Sequence, residues 1–216
     1  MASTLICPIC NKRRAERYCP AKGEKICAID CGTEREVTID CPADCTYLIA
    51  ARRWEQAHPR PLPEGEIPFP DVSIPAELIH TRGAALSGLG YTVLQQAREQ
   101  SALSDADILE AVEALASTHR TLGSGLYYEK PPAGPVAAGL YGALAKFIEE
   151  DNKRAAAQGH PALSTSEVFH LLVFFLRFGR LRSNGRPRTR AFLEFMRAQF
   201  PQQTELAEQQ NRIVIP

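Results

Sequence analysis

From residue 76 onward, apolar residues recur three and four positions apart, the period of helices that bury one face. Glu77 to Gln100 fits one or two helices, loosened by Gly83, Gly88 and Gly90. A further helix is expected to begin at Ser104. Asp107, three residues on, supplies an acidic form of the capping box, and Ile108, Leu109, Val112, Leu115 and Ala116 form the apolar stripe. The run KPPAGP at 130–135 breaks the pattern, and Val136 to Arg154 resumes it with Leu140, Leu144, Phe147 and Ile148. Ser164 and Glu167 form a second capping box, opening a segment from Val168 to Phe178 that is apolar nearly all round. Such a segment is expected to be a central helix, covered by its neighbours. A last helix, about 187–200, carries Phe192, Phe195, Met196 and Phe200, and the tail Arg212 to Pro216 is apolar enough to dock on the body. No βαβ alternation and no repeat occurs, so residues 76–216 are expected to form an α-helical bundle domain.

The N-terminal quarter differs. Residues 46–56 read as a short amphipathic helix that closes a cysteine-rich module spanning 1–57, with Trp54 expected to pack that helix onto the module. Six prolines then fall between His58 and Pro75, which predicts an extended, stiff linker over 58–75.

All seven cysteines precede residue 46, as Cys7-x2-Cys10, Cys19, Cys27-x3-Cys31 and Cys41-x3-Cys45. Thiolates at these separations converge on one ion without a long excursion of chain, which points to zinc. An odd number of cysteines confined to one end fits metal ligation in a reducing compartment better than a disulfide framework. Seven exceed one tetrahedral site and fall one short of two. In a cross-brace, Cys7, Cys10, Cys27 and Cys31 make a complete four-thiolate site. Cys19, Cys41 and Cys45 then make an incomplete second one. One zinc is expected, or two.

Over residues 7–45 this order resembles the MYND and HIT families of zinc fingers: C-x2-C, a spacer, C-x2-C, four residues, C-x2-C or C-x3-C, a spacer, then His or Cys-x3-Cys. The resemblance implies a cross-brace fold and a protein-interaction role. Where those fingers carry a cysteine, this chain has Lys22. Three completions of the second site stay open: a ligand from Asp30, Asp40, Asp44 or His58, an open position holding water, or no second metal. Lys12, Arg13, Arg14, Arg17, Lys22 and Lys25 lie among the cysteines and can offset the charge of a tetrathiolate site.

Charge then narrows the function. The formal net charge is zero, so coating of nucleic acid or acidic membrane by bulk charge is excluded. Locally, seven arginines and one acid lie between Arg177 and Arg197. Arg180, Arg182, Arg186, Arg188 and Arg190 are therefore candidates for anion or nucleic-acid contact, the alternative being ion pairs and solvated surface. His119 and His170 fall within helices and read as core residues. No phosphate-loop, nucleophile-elbow or H-E-x-x-H motif is present, and no H-x-E accompanies the cysteines as in zinc deaminases. The longest apolar run, Leu171 to Leu176, is too short to span a bilayer, and Met1 to Ile6 is too short for the core of a secretory leader. The sequence reading is a cytoplasmic, non-enzymatic zinc-binding adaptor for a protein partner. The alternatives are a nucleic-acid-binding protein using the basic zinc module and the segment from Arg177 to Arg197, and an enzyme built on an open three-thiolate zinc site.

Overall fold

A computed structural model describes residues 5–58 and 61–200. The chain divides into two compact units. The first comprises Met1–Pro61 together with Asn184–Thr189; the second comprises Leu62–Ser183 and Arg190–Pro216.

In the first unit, strands β1 (Arg17–Cys19) and β2 (Glu24–Ile26) pair antiparallel with Tyr18 opposite Lys25. The turn between them closes through the N–H groups of Lys22 and Gly23, which donate to the Cys19 carbonyl at 3.2 and 2.9 Å. Gly23 has φ +70°, a conformation open to glycine. Two helices follow, α1 (Ala28–Glu34) and α2 (Thr46–Ala57). The buried core is small: Cys7, Ala15, Cys19, Ile26, Cys27 and Ile39. α1 has no basic residue in its last turn. Its C-terminal carbonyls are met instead by Arg186, whose guanidinium donates to Gly32 at 3.0 Å and to Arg35. Beside it, the Arg188 N–H donates to the Glu36 carbonyl at 2.8 Å, and the Asn184 amide donates to the Glu36 carboxylate at 3.0 Å.

α2 turns Leu48 and Arg52 inward. Arg52 pairs with the buried Glu36 at 2.9 Å, whereas Ile49 and Trp54 face solvent. Trp54 does not pack onto the module as expected. It is 56% exposed and stacks on His58, with ring centroids 4.4 Å apart. Only Leu48 of α2 is deeply buried, so the helix gains its purchase through that residue and the Arg52–Glu36 pair.

The second unit is helical: α3 (Ala76–Thr81), α4 (Gly83–Glu99), α5 (Asp105–Gly123), α6 (Pro135–Ala157), α7 (Thr165–Arg182) and α8 (Ala191–Gln199). Both expected capping boxes form in full, at Ser104–Asp107 and Ser164–Glu167. α5 packs on α6 and α7, and α4 packs on α6. α7 buries residues around most of its circumference, as its composition predicted. Gly179 permits its closest approach: a Cβ there would lie 2.8 Å from Leu109 and 2.9 Å from Phe192.

Residues 62–75, read from sequence as part of a linker, fold against this unit. The Arg177 guanidinium donates to the carbonyls of Pro68, Phe69 and Val72, and Phe69 packs edge-on against Phe169. α8 starts at Ala191 rather than near 187, because Asn184–Thr189 belong to the first unit. Its N-terminal N–H groups are capped from a distance. The fully buried Asp105 carboxylate accepts from Phe192 at 2.9 Å and Leu193 at 3.1 Å. The expected docking of Arg212 to Pro216 lies outside the described residues.

Asp105→Ala removes the acceptor and leaves two buried N–H groups unmatched. The expected loss is about 2–4 kcal/mol of unfolding free energy, read from the shift of the urea midpoint. A midpoint unchanged within error would mean that Asp105 does not hold α8.

Candidate metal centre

Cys7 and Cys10 lie in a hairpin that Asn11 turns with φ 53°, its N–H donating to the Cys7 carbonyl at 2.8 Å. The Ala15 N–H bonds back to Leu5 at 2.8 Å, and Ile6 bridges Arg14, so the two thiols are presented from a short closed loop. Cys27 is the N-cap of α1, and its sulfur accepts from the Asp30 N–H at 3.3 Å. That geometry puts the Asp30 side chain one helical turn along, on the same side as Cys27.

Cys7, Cys10, Cys27 and Asp30 converge, with their ligand atoms all within 4.8 Å of one another. The Cys7 thiol donates to Asp30 Oδ2 at 3.0 Å, and the Cys10 and Cys27 sulfurs are 4.0 Å apart. Tetrahedral zinc with Zn–S bonds of about 2.3 Å sets its sulfurs about 3.8 Å apart, so this group needs little movement to close on an ion. Arg13 reaches Asp30 Oδ1 at 3.4 Å from the outer side.

The electrostatics of the group differ from residue to residue. Hydrogen bonds from the thiols of Cys10, Cys7 and Cys27, with the charge of Arg13 added, bring the Asp30 carboxyl down to about 2. Burial raises the Cys7 thiol, but the N–H groups of Cys10, Cys27 and Ile9 aimed at its sulfur prevail, and its value falls below the usual one. Burial pushes the Cys27 thiol up. Three sulfurs and one carboxylate form a donor set suited to a borderline divalent ion such as Zn²⁺.

Three of the four residues expected in the first site are therefore together, joined by Asp30. Cys31 is half-buried outside that group. The sequence did carry a signal for Asp30: Cys27-x2-Asp30 repeats the spacing of Cys7-x2-Cys10. Among the residues expected in the second site, Cys19 is buried while Cys41 and Cys45 are half-buried. Burial raises the Cys41 thiol, and Cys45, Glu36 and Cys19 reinforce this by charge against an opposing contact from the Glu36 backbone. Cys41 thus lies within electrostatic reach of Cys19 and Cys45. Lys22 is exposed in the β1–β2 turn. His58 is engaged at the end of α2, its Nδ1 donating to the Trp54 carbonyl at 2.8 Å.

Four of the five arginine candidates are engaged by their own chain. Arg186 closes α1, and Arg190 donates to the carbonyls of Leu103 and Ser101, both at 3.1 Å. Arg180 pairs with Glu113 at 3.3 Å, and Arg182 lies over the rings of Phe178 and Phe195. Arg188 is exposed. His119 is half-buried, its Nδ1 has no partner, and burial lowers its pKa. His170 bonds the Ser166 carbonyl at 2.7 Å. No helix among the described residues is long and apolar enough to cross a membrane. No protein-family model, curated protein or solved structure matches the chain.

Asp30→Asn takes the one carboxylate from the group. Metal affinity measured by chelator competition is expected to drop by more than the ~10–100-fold typical of an outer hydrogen-bond partner. Arg13→Ala is expected to fall within that range. Equal affinity in Asp30→Asn and the parent would remove Asp30 from the ligand set. Protons compete with metal at thiols, so affinity should fall with falling pH. Asp30, with its carboxyl at about 2, stays ionised through that fall, and the loss follows the thiols.

Proposed function

We propose that this chain is a non-enzymatic zinc-binding adaptor whose first unit is folded by metal and presented to a protein partner. The observation that carries the reading is the donor set Cys7, Cys10, Cys27 and Asp30. Four protein ligands saturate a tetrahedral ion and leave no position for a substrate or an activated water, which is the arrangement of structural rather than catalytic zinc. A unit with so few buried apolar residues gains folding free energy from such a site. Free thiols of this kind suit a reducing compartment, and we place the protein in the cytoplasm on that ground.

A protein partner is supported by the apolar residues that α2 leaves on its outer face. It half-buries Arg52 and exposes Ile49 and Trp54. Tryptophan presented to solvent on a helix is the residue type most often dominant in protein interfaces. The nucleic-acid reading is weakened because Arg186 and Arg190 are engaged by backbone carbonyls of their own units.

Trp54→Ala is expected to leave zinc content and thermal unfolding unchanged while weakening capture of a partner from source cells. For an interface anchor the loss is about 2 kcal/mol, or roughly 30-fold in Kd. The interaction should survive nuclease treatment and moderate salt. Binding that collapses with salt and nuclease and ignores Trp54 would replace the adaptor with a nucleic-acid-binding protein.

A further inference from the structure

Placing Asp30 in the first group changes the donor arithmetic of the whole unit. Cys31, which the cross-brace pairs with Cys27, is left over together with Cys19, Cys41 and Cys45. Four thiols remain, the number that a tetrahedral zinc takes.

Helix geometry explains why Cys31 leaves the first group. Successive residues of α1 are rotated by about 100°, so Asp30 and Cys31 cannot both face Cys7. The chain after α1 folds back toward the end of that helix. Arg35, one turn beyond it, bridges Ile39 in parallel, and the Glu36 N–H donates to the Ile39 carbonyl at 3.0 Å. These contacts fold the segment leading to Cys41 back along the end of α1. The Cys45 N–H donates to the Pro42 carbonyl at 3.0 Å, a tight turn with Cys41 just before it and Cys45 at its close. Cys31 and Cys41 both pack on the small core to which Cys19 contributes a buried side chain.

We infer that Cys19, Cys31, Cys41 and Cys45 form a second, four-thiolate zinc site, an inference that rests on Asp30 completing the first. Among the described residues, only the first group has its ligand atoms within 4.8 Å of one another. Metal at the second site would have to draw α1, the β1 end and the 41–45 turn together, which would couple binding to local ordering. Lys22, which stands where the zinc fingers resembled above carry a cysteine, has no part in either site.

The test is metal stoichiometry of the full chain by native mass spectrometry, with Co²⁺ substitution to report the ligands. The parent is expected to hold two zincs. Cys31→Ser should hold one, with Co²⁺ bands of three thiolates and an oxygen. Asp30→Asn should retain the other, with bands of four thiolates. Lys22→Cys should still hold two. Asp30→Cys, which adds a thiolate rather than removing one, guards against loss of folding: it should keep two metals and shift one Co²⁺ spectrum to the four-thiolate form. One metal in the parent with a three-thiolate, one-oxygen spectrum overturns the second site alone. A Co²⁺ spectrum unmoved by Asp30→Cys overturns the role of Asp30, and the second site with it. No bound metal at all overturns the zinc adaptor itself.

Discussion

A carboxylate buried among three sulfurs is the constraint on which the first unit turns. Asp30 is 7% exposed and lies against Cys7, Cys10 and Cys27. A negative charge in that position is costly unless donors or a cation answer it. Arg13 answers from outside, and the thiols of Cys10, Cys7 and Cys27 answer from within. A divalent ion at the centre would answer all four donors at once. The rest of the unit is arranged to hold this group: a hairpin presents one pair of donors, and the first turn of α1 presents the other.

The arginines of the helical unit work as fasteners rather than as a ligand surface. Arg177 collects three carbonyls from the proline-rich approach, and Arg190 collects those of Leu103 and Ser101 ahead of α5. A planar guanidinium with five donors suits this role, because carbonyls in irregular segments have no ladder partner. Asp105 performs the complementary task for donors, holding the free N–H groups at the start of α8. Irregular stretches of this unit are thereby satisfied by single side chains on neighbouring helices.

Which features were legible follows from how local their causes are. The starts of α5 and α7 could be read from Ser104–Asp107 and Ser164–Glu167, since a capping box is complete within four residues. The central place of α7 could be read from its composition. The attachment of residues 62–75 could not, because it depends on Arg177 more than a hundred positions away. The cysteines pointed to a group that could hold a metal, but counting cysteines alone hid Asp30 as a member, its only local sign being its spacing from Cys27. Trp54 was misplaced for a different reason. Helical periodicity identifies two faces, and the one that turns inward carries Leu48 and Arg52, the latter meeting the buried Glu36.

Arg186 gives the first unit a property in time as well as in space. The unit's cysteines are all synthesised within its first forty-five residues, yet the guanidinium that closes α1 belongs to position 186. At about 5–20 residues per second, a ribosome reaches that arginine roughly 7–30 seconds after the last cysteine. During that interval the C-terminal carbonyls of α1 wait for their donor. A metal ion captured early would hold the unit through this gap, and the late arrival of residues 184–189 would complete it.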